Sequence, residues 1–447
     1  MSKPTIQYVD QTIRDAQQSL WGFRMPTDMI SSIAPVMDRV GYEAIGVNGG
    51  RGAVVAAKYL KENLFERFRL LSRLMPGSIL RSSFTAWAAF GFDVEPVAVT
   101  ELWIRRAVAS GVKSFWICDY QNMMDRLNYL VGVAKEEGAQ VVGGLMYALS
   151  PVHTDELFAE KTRKLAELDG IDIIQLEDAS GVLTPERTKT LMPAIAAASK
   201  GKPVELHCHC NVGLAAQCYV EAMKLGIKTL HTAVSPLAND TSLPSIENTI
   251  DNARCLGFSS NIDEEALKTV SEHFRKIAQE RGMRIGVPLE YNLWKFQHQL
   301  PGGMMGTLRN QLAEIKREKR LDEVLEEVAR VREDFGYPVM ATPYSQFVGV
   351  QALFNVIGGG RYNVVSDEVA MYMLGLYGEA DGPINQDAKD KILNSAKAKK
   401  LAKWRPTEIT IEDLRKLEPG LDDDELLLRI AHPDGAFKER LNILFGR

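Results

Sequence analysis

A chain of 447 residues is too long for one ordinary core and points to a large domain joined to a second unit. Hydrophobic residues at 45% and charged residues at 25% are those of an average globular protein. A formal net charge of −5 without a local Lys/Arg cluster leaves no footprint for nucleic acid, and no run of about 18 uncharged apolar residues offers a membrane span.

The first β-rich run is IQYV (6–9), followed by EAIGV (43–47), SILRS (78–82) and KSFWIC (113–118). QVVGGLMY (140–147), IDIIQL (171–176), VELHCH (204–209) and KTLHTAV (228–234) continue the series, with helix-patterned stretches between them. The runs recur at roughly the length of one strand plus its crossover helix, about thirty residues. Most are apolar throughout, as strands buried on both faces must be. Eight such units predict an α/β fold, a closed (β/α)₈ TIM barrel over residues 1–300. The first loop lacks the Gly-x-Gly-x-x-Gly of a dinucleotide fold. From about residue 262 the pattern changes to helices dense in charge, such as DEEALKTVSEHFRKIAQERG and LAEIKREKRLDEVLEEVARVREDFG. A mainly helical C-terminal domain is expected over 301–447, punctuated by QLPGGMMG and GGGRYN.

A barrel gathers its chemistry just past the C-terminal ends of its strands. Those positions hold Asp10, Arg14 and Asp15, then Asn48, Asp119, Tyr147, Glu177 and Asp178, then His207, His209, Ser235, Asn239 and Thr241. His207 and His209 alternate onto one side of their strand, where both imidazoles can bite one cation of the zinc, manganese or cobalt type. Asp15 is the third ligand candidate, and Arg14 beside it suits an anionic substrate. Glu177 leaves an apolar strand and needs a partner, which makes it a fourth ligand candidate; the plainer reading is an acid that caps a loop. Thr184 is the expected N-cap of a helix starting at Pro185. Five cysteines, three of them crowded at 208, 210 and 218, do not read as a disulfide framework. With an N-terminus lacking an apolar leader, they suggest a reduced, cytoplasmic protein. Cys208 and Cys210 face away from the histidines and read as small buried hydrophobes.

VDQTIRDAQQSLWGFRM resembles the Asp-Thr-Thr-x-Arg-Asp-Ala-His-Gln-Ser signature of the biotin-dependent carboxyltransferase barrels, the family of pyruvate carboxylase, the oxaloacetate decarboxylase α subunit and transcarboxylase. LEDASGVLTP, ELHCHCNVG and SPLANDTSLPS are similar to three further blocks, and LPGGMMGTLRNQL, ATPYSQFVGVQALFNVI and SDEVAMYMLGLYGEADGPIN to the family's helical domain. The resemblance implies a divalent metal on Asp15, His207 and His209, with Glu177 where the family carries a carbamylated lysine. It implies Arg14 and Gln18 as positioning groups and Thr241 as the proton shuttle between biotin and a keto acid. The family's substrate-binding arginine falls on Arg81 or on Thr85, depending on the anchor chosen, and its neighbouring tyrosine on Phe92. Asn48 is a further substrate-binding candidate, and the aspartate after the family's Gly-Gly falls near Val54. Gln17 replaces the signature's histidine. These departures favour a more apolar substrate, in a pocket expected among Phe84, Trp87 and Phe90.

The function implied is carboxyl transfer or decarboxylation next to a carbonyl, through a metal-stabilised enolate on a small-molecule carbonyl substrate. AMKL (222–225) lies in a barrel helix, so no covalently attached biotin is expected; carboxybiotin would arrive on a separate carrier, loaded by a biotin carboxylase subunit. A biotin-independent lyase or hydrolase on the same barrel is the alternative, and a non-catalytic assembly subunit the second. The resemblance also implies a homo-oligomer.

Overall fold

The computed structural model describes residues 3–91, 94–121 and 123–446. Eight strands, β1 (Thr5–Asp10), β2 (Ala44–Gly46), β3 (Leu80–Thr85), β4 (Ser114–Cys118), β5 (Gln140–Met146), β6 (Ile173–Asp178), β7 (Val204–Cys208) and β8 (Thr229–Thr232), follow one another around a sheet. Every pairing is parallel, and β1 bonds to both β8 and β2, which closes the expected barrel. A short ninth strand, Ser259–Ser260, pairs with the start of β1. The surrounding helices begin where short polar side chains accept first-turn amides: Thr154, Thr184, Ser245 and Asp263 each do so, Thr184 as expected.

The barrel's floor is not apolar. Arg81, second in β3, reaches across the interior to Glu205, second in β7, with Nη1 donating to Oε2 at 2.6 Å. Ser114 and Gln140, the first residues of β4 and β5, bind the same guanidinium. Gln175, His207 and His231 lie among the interior groups next to this pair.

The long charged stretch read as helix is two helices, Gly302–Glu314 and Leu321–Asp334. Lys316 takes a left-handed φ of 57° and Arg317 N–H donates to Leu312 O at 2.8 Å, a C-terminal cap that helical periodicity alone does not reveal. Two apolar clusters organise the molecule. One fills the barrel wall and its helices, and takes in Leu414, Leu427, Phe437 and Leu441 from the end of the chain. The other joins Trp87, Trp116 and Tyr120 of the barrel to Leu308, Val328, Tyr344 and Tyr377 of the helical region. AMKL begins inside the helix Ala215–Lys224, with Ala222 and Met223 buried and Lys224 paired to Glu221. No helix among the described residues is long and apolar enough to cross a membrane.

Candidate metal centre and active site

After β1 the chain makes a single π-helical turn, Thr12–Ala16, closed by Ala16 N–H donating to Gln11 O at 3.0 Å. Such wide turns recur at functional sites, and this one places Arg14 and Asp15 on the wall of a cavity of about 220 Å³ at the C-terminal face of the barrel. His207 points inward from β7 and His209 follows just beyond the strand end. Asp15 Oδ1 stands 3.3 Å from His209 Nε2, Asp15 Oδ2 stands 3.7 Å from His207 Nε2, and the two Nε2 atoms are 3.2 Å apart. All three ligating atoms lie within 4.8 Å of one another. Two atoms bound at about 2.1 Å to one tetrahedral cation are about 3.4 Å apart, so the triangle fits a transition-metal ion.

The proton positions fit as well. His209 Nδ1 lies 2.7 Å from Thr241 O, which only accepts, so Nδ1 carries the proton and Nε2 turns a lone pair inward. His231 Nε2 lies 2.9 Å from Glu205 Oε2, another pure acceptor. His231 Nδ1 is therefore the accepting nitrogen, its lone pair shared between hydrogen bonds from Gln11 Nε2 at 3.0 Å and from His207 Nδ1 at 3.2 Å. That leaves the His207 Nε2 lone pair for a cation. Burial would raise the Glu205 carboxyl, but Arg81 and His231 hold it down at about 2, so the chain ends on a true carboxylate. Burial drives His207 well below the usual imidazole range, helped by its histidine neighbours. Asp15 stays below the ordinary carboxylate range because Arg14, His209 and Ser19 outweigh its burial.

Glu177 faces the same cavity from β6 but is not part of the triangle. Its Oε2 accepts from Gln175 Nε2 at 2.9 Å, and burial lifts its carboxyl to about 7. Glu177, the expected fourth ligand, thus stands beside the triangle on the same cavity. Asp178 takes the loop-capping role, accepting Leu183 N–H at 2.6 Å.

Arg14, Gln18 and Thr241 line the cavity together. Arg14 is held by Asp15 and by Ser83, whose Oγ accepts from Nη2 at 3.1 Å. Thr241 Oγ1 donates to Ser19 O at 3.1 Å. Of the expected substrate-binding residues, the described ones do not line the cavity. Arg81 is committed to Glu205 on the barrel floor, because its position early in β3 points it away from the cavity. Thr85 is buried, donating to Ala88 O and accepting from Arg51. Asn48 is buried against Gln17. Phe92 lies outside the described residues. Of the three expected aromatics only Phe84 lines the cavity: Trp87 stacks on Tyr344, and Phe90 packs against Trp103.

Several lining residues escape a reading by strand ends. Arg51, five residues past β2 between glycines, brings a second guanidinium, and its signal was the charged residue inside GGRG. Gly302 and Met304 close the cavity from the helical region, with Thr342 beside them. A Cβ at residue 302 would fall 2.0 Å from Thr241 Cγ2, so only glycine lets this helix start against the threonine. Gly49 has a like role, since a Cβ there would meet Ser83 O at 1.9 Å.

Residues 104–273 match the HMGL-like family, and residues 296–437 match the conserved carboxylase domain. A pyruvate carboxylase subunit from Methanocaldococcus jannaschii is 32% identical, over 97% of this chain and 77% of its own. The methylmalonyl-CoA carboxyltransferase 5S subunit of Propionibacterium freudenreichii subsp. shermanii is 30% identical, over 89% of this chain and 78% of its own. The carboxyl transferase domain of Rhizobium etli pyruvate carboxylase, solved with pyruvate, shares the fold: TM-score 0.86 at 22% identity, covering 99% of this chain and 78% of that one. With the barrel, the helical region and the sequence likeness running nearly end to end, this chain belongs to the carboxyltransferase family that includes the pyruvate carboxylases.

Proposed function

We propose that the protein moves a carboxyl group between biotin on a separate carrier and the carbon next to the carbonyl of a small 2-oxo acid. The observation that carries this reading is the convergence of Asp15, His207 and His209, two of which line the cavity together with Arg14, Gln18 and Thr241. Those three side chains would hold a divalent cation of the zinc, manganese or cobalt type, which would supply Lewis-acid chemistry at the substrate carbonyl. Arg14, braced by Asp15 and Ser83, and Arg51, which lines the same cavity, offer positive charge to the substrate carboxylate. Gln18 orients the substrate with neutral hydrogen bonds. Thr241 exchanges its hydrogen bond to Ser19 O for one to the reactants, and passes the substrate's carbon-bound proton to the biotin nitrogen as the carboxyl group moves the other way.

The test is the reverse reaction: loss of the carboxyl group from oxaloacetate and longer β-carboxylated 2-oxo acids by metal-loaded protein, followed with and without free biotin. Biotin-stimulated turnover that falls about 10²-fold or more in Thr241→Ala is the expected result. Equal turnover without biotin would assign the protein to the biotin-independent lyases. No turnover on any member of the panel would overturn carboxyl transfer altogether.

A further inference from the structure

Gln18, Phe23, Arg51 and Thr342 line the cavity at the metal centre, and the same four residues line a second cavity of about 460 Å³. Its walls are Val54, Val55 and Phe90 on the barrel side and Ile430, Leu441 and Phe445 from the end of the chain. Arg51, Glu95 and Lys438 are the charged residues among its lining. Glu95 spends its carboxylate on the amides of Ala89, Phe90 and Gly91, and Lys438 is an exposed residue on the helix Gly435–Leu444. Arg51 reaches both cavities, so the pair has a charged, polar inner half and an apolar outer half. Small-molecule sites usually enclose about 300–1,000 Å³. The inner cavity, at about 220 Å³, falls short of that range alone and reaches it when joined to the outer one.

We infer that the outer cavity is a subsite for the hydrocarbon tail of the substrate, and that the protein selects straight-chain 2-oxo acids longer than pyruvate. This rests on the carboxyltransferase reading, which supplies the 2-oxo acid head for the inner cavity. Each methylene moved from water into an apolar site tightens binding about fourfold. Affinity should therefore climb steadily with chain length until the cavity is full.

The experiment is calorimetric titration of the manganese-loaded full chain with pyruvate, 2-oxobutanoate, 2-oxohexanoate and 2-oxooctanoate, repeated on Val55→Phe and Leu441→Phe, which each shrink the outer cavity. Support is a wild-type series rising about threefold to fourfold per methylene, with the ratio of longest to shortest falling toward one in both variants. A flat wild-type series, with pyruvate binding measurably, overturns the subsite and leaves carboxyl transfer standing. A length dependence that survives in both variants also overturns it, since the tail then lies elsewhere. Failure of every acid, pyruvate included, removes the 2-oxo acid reading and the subsite with it.

Discussion

His207 offers a cation its lone pair only in one tautomer, and that tautomer is set by His231 and, behind it, Glu205. Replacing His231 by Phe removes the acceptor while leaving Arg81 paired with Glu205. Metal affinity, measured by competition with a chelator, is then expected to fall about 10- to 100-fold. An unchanged affinity would mean that the imidazole is oriented by packing alone. The triangle also separates the roles of two residues that look equivalent in sequence. His207→Ala should lose stoichiometric metal in elemental analysis, whereas Glu177→Gln should keep it, because Glu177 stands outside the triangle. The histidine pair was legible because alternation along one strand is a local property. The place of Glu177 beside the triangle, the commitment of Arg81 to Glu205 and the arrival of Arg51 were not. Each depends on how far a side chain reaches across the barrel, which is set by stagger between strands that spacing along the chain does not encode.

At the scale of elements, the eight strands could be read because each is a short apolar run between helical patterns. What those patterns hide is which side chains join one element to another. Trp87 is the clearest case. It lies in the loop after β3, fully buried, with its ring 5.7 Å from Tyr344 and 4.7 Å from Tyr120. Its indole joins the barrel to the helical region instead of lining a pocket. Trp87→Ala is expected to cost about 3–5 kcal/mol in urea denaturation, from lost burial and the cavity left behind. It should also uncouple the unfolding of the two regions, visible as separate transitions by fluorescence and circular dichroism. A loss under about 1 kcal/mol would show that the contact is not holding the regions together.

The whole molecule carries a pH dependence in which buried groups act with opposite signs. His298 is buried, its Nδ1 accepts Leu300 N–H at 3.0 Å, and burial, with Lys295 adding, takes it down to about 4. The unfolded chain takes up this proton as pH falls through the usual imidazole value of about 6.5, while the folded chain refuses it until about 4. Folding stability from His298 is therefore full at neutral pH and is lost progressively between those values, by about 1.4 kcal/mol per pH unit at most. His153, also lowered by burial, adds loss in the same direction. Asp119 and Asp178, raised to about 6 by burial, do the reverse: their contribution is greatest in acid and declines as pH rises. The measurement is thus the difference between wild type and His298→Gln in denaturation free energy at pH 7, 6 and 5. The variant should lose less stability on acidification than wild type, and parallel curves would rule out a buried neutral His298.

The contact between residue 302 and Thr241 bears on how such a protein can change over generations. Any bulkier residue at 302 strikes the threonine, so a change at 302 must be answered on the barrel side. The barrel and the helical region are accordingly tied to each other at this point of the cavity wall. A helical region borrowed from a distant cousin would bring along part of the wall of the reaction vessel.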